Sequence, residues 1–120
     1  MHIIKLILQT VIALGILNVW LLRFGKPSAW RGASAANMRK EFAAYGLPGG
    51  AMYLVGFLKV LCALLLLAGI WVPSVTMPAA GLIALLMLGA VAMHFKIGDP
   101  PKKSLPAATL LLCCLLVVVL

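Results

Sequence analysis

Acidic residues are nearly absent from this 120-residue chain: it has two, Glu41 and Asp99, against ten lysines and arginines. Charged residues of either sign make up 10% of the sequence, whereas hydrophobic residues make up 65%. Because soluble domains carry about 25% charged residues, this composition excludes a chain that folds in water and indicates a membrane protein. The basic residues alternate with apolar segments, so we expect them to meet anionic lipid headgroups and not nucleic acid.

Other chemical signatures are absent as well. Both histidines are isolated and no carboxylates are paired, so the sequence has no metal-ligand spacing. Gly49 and Gly50 precede an apolar segment instead of following a strand, which excludes a nucleotide-binding loop. Cys62, Cys113 and Cys114 lie within apolar segments, where a disulfide framework is not expected. No cofactor is evident, although a quinone or a lipid would suit such apolar surroundings.

Four apolar runs account for most of the chain, at 3–22, 52–71, 77–95 and 105–120. The first three are long enough as helices, at ~1.5 Å per residue, to cross a hydrocarbon core of ~30 Å. The fourth run is shorter but apolar throughout, and a tilted arrangement of its neighbours would accommodate it. The pattern predicts an all-α transmembrane four-helix bundle that forms one domain over residues 1–120.

The basic residues predict how the bundle is oriented. Eight of the ten lie between the first and second runs or between the third and fourth. Such loops stay in the cytoplasm, so we expect both termini to be periplasmic or external. Residues 35–45 carry apolar and basic side chains on different faces, with Ser34 as the N-cap and Gly46 as the C-cap. They predict a short amphipathic interfacial helix, which lies along the membrane surface or folds under the bundle mouth.

Lys59 lies inside the second apolar run, about 10 Å along the helix axis from its start. A charge at mid-span costs ~2.5 to 3.5 kcal/mol on insertion scales. One interpretation is that the side chain reaches back to the interface and keeps its ammonium in water. The other is that Lys59 is buried, since Gly56 and Ala63 place it on a stripe of small residues that faces other helices. A buried lysine needs an acceptor.

This topology brings polar side chains from three spans and both basic loops to the cytoplasmic mouth of the bundle. The candidates for catalysis are Lys59, His94 and Glu41, and the candidates for ligand binding are Asn18, Arg23, Tyr45 and Asp99. Most of them also have a structural interpretation: His94 and Tyr45 as interfacial side chains, Asn18 as an interhelical clamp, Asp99 as a turn initiator and Glu41 as a surface charge. Trp20, at a span end, is expected at the interface.

The residues at the span ends form a further pattern. They are Asn18, Trp20, Leu22 and Arg23, then Asn37, Met38, Glu41, Phe42, Tyr45, Gly46, Leu47 and Pro48, then Gly56, Lys59, Val60, Gly69, Trp71 and Pro73, and finally His94, Lys96, Asp99, Pro100, Ser104, Pro106 and Ala107. In these residues the chain resembles the DoxX-like family of small four-helix bacterial membrane proteins, over nearly its whole length. The resemblance implies a multi-pass protein of the bacterial cytoplasmic (inner) membrane. For some relatives it also implies association with redox systems such as thiosulfate-to-quinone electron transfer.

Two functions are compatible with these features. The first is an accessory or ligand-binding subunit linked to membrane redox processes, whose mouth holds a quinone-like or lipid-like molecule or docks a redox-complex partner. The second is a small membrane enzyme that uses Lys59, His94 and Glu41 for acid-base chemistry on an apolar substrate, since a lysine removed from water exchanges its proton near neutral pH. A transporter would require a homo-oligomer, because four short spans leave little room for a pore.

Overall fold

The computed structural model describes residues 2–26 and 35–120. Within these two stretches there are five α-helices and no strand, which confirms the all-α prediction. The helices are α1 (His2–Leu17), α2 (Met38–Ala44), α3 (Gly49–Ala68), α4 (Thr76–Lys96) and α5 (Leu105–Val119). A π-helical turn (Asn18–Leu22) extends α1, and 3₁₀ turns at Pro73–Val75 and Pro101–Ser104 lead into α4 and α5.

The four long helices form a closed bundle, in which α1 and α4 each contact both α3 and α5. The helical part measures 39 × 25 × 19 Å. Each helix turns one stripe of side chains inward, and Ile12, Ile16, Leu66, Ile83 and Val117 are among the largest that are fully buried. The bundle therefore has one shared hydrophobic core.

The outer faces of the long helices are apolar too. Ile3 is 72% exposed, Phe57 65% and Leu85 64%. In water, each Å² of such surface would cost about 25 cal/mol, whereas acyl chains match it in a bilayer. Four helical segments are long and apolar enough to cross a membrane. The predicted transmembrane four-helix bundle is thus the fold that the chain adopts.

The observed span limits differ most from the predicted ones at α3, which runs from Gly49 to Ala68 instead of over 52–71. Pro48 has extended backbone angles at the N-cap position, so the helix begins directly after it. Gly49 and Gly50 precede the predicted span because glycine often marks the end of a helix, yet both belong to α3.

α2 is shorter than the predicted helix over 35–45. Its N-cap is Asn37, whose Oδ1 accepts a hydrogen bond from the backbone N–H of Lys40 at 2.9 Å. Ser34, the predicted N-cap, lies outside the described residues. Met38 and Phe42 are buried, and α2 contacts α3. Of the two placements considered, α2 therefore adopts the one beneath the bundle mouth.

At the opposite end of the bundle, a side chain of α1 completes the hydrogen bonding of α3. The last carbonyls of a helix lack partners within it, and in lipid there is no water to replace them. Backbone N–H groups of the following turn donate to the carbonyls of Leu65, Leu67 and Ala68. The carbonyl of Leu66 accepts instead from Nε2 of Gln9, at 2.8 Å. This buried bond ties α1 to α3.

Candidate functional site

A cavity of about 380 Å³ lies at the end of the bundle where α1 ends and α5 begins, and we call it the basic-end cavity. Its volume falls within the ~300 to 1,000 Å³ typical of ligand pockets. Most of its wall is apolar, with α2 below and α3 and α4 at the sides. The charged and polar side chains that line it are Arg23, Glu41, Tyr45, Lys59, His94 and Lys103.

Lys59 is buried, with 9% of its surface exposed, and lines this cavity. Gly56, Lys59 and Ala63 follow one another at helical spacing and are all buried, so the periodicity of α3 turns Lys59 inward. The ammonium lies 5.6 Å from the centroid of the Trp20 ring, within reach of a cation–π interaction. The carboxylate of Glu41 also attracts it. Of the two interpretations of Lys59, the structure adopts the buried one.

Trp20 is buried inside the bundle. It lies four residues after Ile16 on the buried stripe of α1, so helical spacing directs it into the bundle. Its ring centroid is 6.1 Å from that of Phe24 and 5.9 Å from that of Phe42, with the latter ring edge-on. These distances are typical of favourable aromatic pairs. Trp20 thus lies between the ammonium of Lys59 on one side and the rings of Phe24 and Phe42 on the other.

A row of polar side chains runs from the cavity wall into α4. The Tyr45 hydroxyl donates to Oε1 of Glu41 at 3.1 Å and lies 3.5 Å from Nε2 of His94. On the other side of the imidazole, Nδ1 of His94 is 2.8 Å from Oδ2 of Asp99. Because a carboxylate only accepts, the proton of a neutral His94 lies on Nδ1. Nε2 then carries no proton, and the one proton of the Tyr45 hydroxyl is directed to Glu41.

The backbone at the end of α4 explains how Asp99 reaches His94. Gly98 has a φ of +74°, the left-handed conformation that favours glycine. It reverses the chain, so that the Asp99 N–H donates to the His94 carbonyl at 3.0 Å and the Gly98 N–H to Phe95 at 3.1 Å. This is a Schellman motif, and its usual apolar contact is replaced here by the His94–Asp99 pair. α2 ends in the same way at Gly46, with a φ of +76°.

The structure brings most of the predicted site residues together. Arg23, Glu41, Tyr45, Lys59 and His94 line the basic-end cavity, and Asp99 is bonded to His94 behind the wall. Asn18 differs: it is exposed and does not line the cavity. It lies two residues from both Ile16 and Trp20, about 200° around a helix that turns ~100° per residue. The roles proposed for these residues stay predictions.

Two residues that contribute a ring or a charge to the cavity, Trp20 and Lys103, were not predicted as site residues. Trp20 could have been found from its spacing to Ile16, which continues the buried stripe of α1. Lys103 had been interpreted only as a charge that sets orientation. It lines the cavity because the 3₁₀ turn Pro101–Ser104 holds the chain against the bundle, and the sequence carries no clear signal of that.

No group of three or more His, Cys, Asp or Glu side chains in residues 2–26 and 35–120 is arranged to hold a metal ion. The polar groups of the cavity are two ammonium groups, a guanidinium, a phenol, an imidazole and a carboxylate. They suit the polar head of an organic molecule, to which they would donate and accept hydrogen bonds.

Four apolar spans, with the basic-end cavity at one end of the bundle, define a small multi-pass membrane protein. The sequence model of the DoxX-like family matches residues 7–118, nearly the whole chain, and the protein belongs to this family. None of the curated proteins and none of the solved structures matches the chain. The resemblance seen in the sequence is therefore confirmed at the level of the family.

Proposed function

We propose that this DoxX-like membrane protein is an accessory or ligand-binding subunit that holds one lipid-soluble, amphipathic molecule in the basic-end cavity. The observation that supports this function is a mostly apolar cavity at the end of the bundle, lined by the buried Lys59 and by Tyr45. A quinone-like or lipid-like molecule has the matching form, with a polar head and an apolar ring or chain.

The contacts of such a molecule follow from the lining. Leu86, Met93 and Leu110 belong to the apolar wall and would contact its chain. Lys59 and Tyr45 would hydrogen-bond to its head. Association with membrane redox systems is part of the proposal and follows from the family resemblance alone, and the partner would be a redox complex or a second copy of the chain.

Retention of a ligand during purification tests this function. The protein is purified in a mild detergent, and bound molecules are detected by native mass spectrometry and identified after extraction. Ala90→Phe places a large ring in the cavity wall, whereas Ala92→Phe places the same ring on the exposed face of α4. We expect the native protein and Ala92→Phe to retain the molecule. Ala90→Phe should retain at least about tenfold less of it, which corresponds to a loss of ~1.4 kcal/mol or more of binding free energy.

Two outcomes would contradict the function. One is a native protein that carries no lipid, quinone or other amphipathic molecule. The other is equal retention by Ala90→Phe and Ala92→Phe, which would place the bound molecule on the lipid-facing surface instead of in the cavity.

A second candidate function, a small membrane enzyme, is supported by the row of side chains Glu41, Tyr45, His94 and Asp99, in which neighbouring polar atoms lie 2.8–3.5 Å apart. General acid-base catalysis needs titratable groups within hydrogen-bond reach of the reacting atoms. Lys59, His94 and Glu41 all line one cavity. They would be able to give a proton to a bound apolar substrate and take one from it.

This second function is tested by incubating the protein with a lipid extract of its own membrane and following changes by mass spectrometry. Lys59→Met should stop any conversion while the protein still folds, as judged by its helical circular dichroism. Equal conversion by the variant would remove Lys59 from the chemistry and end the acid-base hypothesis in its present form.

A further inference from the structure

Both acidic residues of the chain lie at the basic end of the bundle, and both are engaged. Glu41 accepts a hydrogen bond from Tyr45, and Asp99 pairs with His94 at 2.8 Å. Because the whole sequence contains no other aspartate or glutamate, these two carboxylates are all the negative side-chain charge that the protein can supply.

The positive charge at the same place is larger. Arg23, Lys59 and Lys103 line the basic-end cavity, and Glu41 is the one carboxylate among its described lining residues. The cavity therefore keeps a net positive charge whichever cation Glu41 pairs with. Arg23 is exposed and Lys103 is half-buried, so this excess is most costly at Lys59, which is buried, unless an anion offsets it.

An anion that balances the positive charge is most needed at Lys59, since this lysine is buried within a membrane span. Its ammonium has three donors. Within residues 2–26 and 35–120 the electrostatic contacts of the ammonium are the ring of Trp20, at 5.6 Å, and the attraction of Glu41, and none is a hydrogen bond. A ring face attracts a cation but does not satisfy an ammonium as an anionic oxygen does.

We propose that the molecule held in the basic-end cavity is an acidic amphiphile, whose carboxylate or phosphate head accepts hydrogen bonds from Lys59 while its apolar chain follows the cavity wall. This inference rests on the proposed function and narrows its ligand from any amphiphile to one with a negative head. The start of α5 favours the same charge, because Lys103 and Ala107 line the cavity and the N-terminal end of a helix attracts anions.

A fluorescence experiment compares ligands that differ only in the charge of the head. Trp20 touches the cavity, so in the double variant Trp30→Phe, Trp71→Phe its emission reports on the site. The full-length protein is titrated in neutral detergent with a brominated long-chain fatty acid, the alkyl phosphate of the same chain, and the alcohol of the same chain. Bromine quenches indole emission on contact. We expect at least one acidic probe to bind about tenfold more tightly than the alcohol, or better.

Variants assign the preference to Lys59. Lys59→Met should bring the affinity for the acid to within about threefold of that for the alcohol, and Lys59→Arg should keep the preference. Lys102→Gln, which removes an exposed lysine that does not line the cavity, should leave both affinities unchanged.

The outcomes separate this inference from the function on which it rests. If the alcohol quenches Trp20 as effectively as both acidic probes, the cavity binds amphiphiles without regard to charge, and only the inference fails. If no probe quenches Trp20 at all, the proposed function fails as well. Should Lys59→Met not fold, the comparison of acid with alcohol in the native background still decides the question.

Discussion

The indole ring of Trp20 packs against Gly56 so closely that a Cβ atom on residue 56 would lie 2.6 Å from Cζ3 and 2.8 Å from Cε3 of the ring. Only a residue without a side chain leaves room for this contact. Lys59 lies one helical turn further along α3, with its ammonium near the same ring. The glycine therefore fixes the wall of the basic-end cavity as well as the spacing of α1 and α3.

Gly56→Ala should accordingly displace Trp20 and destabilise the bundle. Overpacking of this kind costs ~1 to 3 kcal/mol. The control is Gly81→Ala in α4, where a Cβ would meet nothing within 4 Å and the alanine should be neutral or stabilise the helix by up to ~1 kcal/mol. Reversible unfolding in detergent micelles measures both. Equal stability of the two variants would show that Trp20 adjusts without cost.

The bond between Gln9 and the Leu66 carbonyl predicts a second stability effect. Gln9→Leu keeps the size of the side chain but leaves the carbonyl without its donor, at a cost of ~0.6 to 2 kcal/mol for a bond between helices in a membrane. Thr10→Val is the control, because the Thr10 hydroxyl bonds only to Leu6 of its own helix, at 2.8 Å. The same unfolding assay applies, and a loss as large in Thr10→Val would argue against a role specific to Gln9.

The fold was predictable because one physical requirement dominates this sequence. A span must be apolar for about twenty residues, and the runs at 77–95 and 105–120 differ from α4 and α5 by a residue at an end. The start of α2 was less predictable. Two short polar residues, Ser34 and Asn37, precede it. The choice of Asn37 as N-cap depends on the packing of Met38 and Phe42 under the bundle, which is tertiary information.

The sequence predicts which charged residues share the cavity better than it predicts the contacts among them. Charge counting placed Lys59, Glu41 and His94 at one end of the bundle, and they share a cavity there. Helical spacing also places Asn18 outside the cavity, because it lies about 200° around the helix from the buried Ile16. The pairing of His94 with Asp99 was not predictable, because it depends on the left-handed turn at Gly98 and on how α4 is rotated in the bundle.

Cysteine labelling tests the orientation predicted from the basic loops. Ser74, in the turn before α4, and Lys102, in the turn before α5, are both exposed and lie at opposite ends of the bundle. A maleimide that cannot cross membranes should label Ser74→Cys in intact cells and Lys102→Cys only after permeabilisation. The native chain is the control, since its cysteines are buried or half-buried in the spans. The reverse labelling pattern would show that the basic loops are external.

Removing the carboxylate of Asp99 should change the tautomer of His94. In the native protein Asp99 accepts from Nδ1, which leaves Nε2 as the acceptor facing Tyr45. Asp99→Ala deletes that acceptor, so the imidazole is free to place its proton on Nε2 and donate toward Tyr45. Long-range ¹H–¹⁵N correlation spectra at alkaline pH distinguish the two tautomers. We expect a shift from mainly Nδ1–H in the native protein to mainly Nε2–H in the variant.

The chain provides an internal reference for this measurement, because its other histidine, His2, is exposed at the start of α1. The His2 signals should be identical in both proteins, which separates a local effect from a general change of fold. Asp99→Asn is the conservative partner: its amide oxygen is able to accept from Nδ1, so it should keep the native tautomer despite losing the charge. If His94 kept Nδ1–H in Asp99→Ala as well, its orientation would be set by the packing of α4 against Tyr45, and the carboxylate would not be what prepares Nε2 as an acceptor.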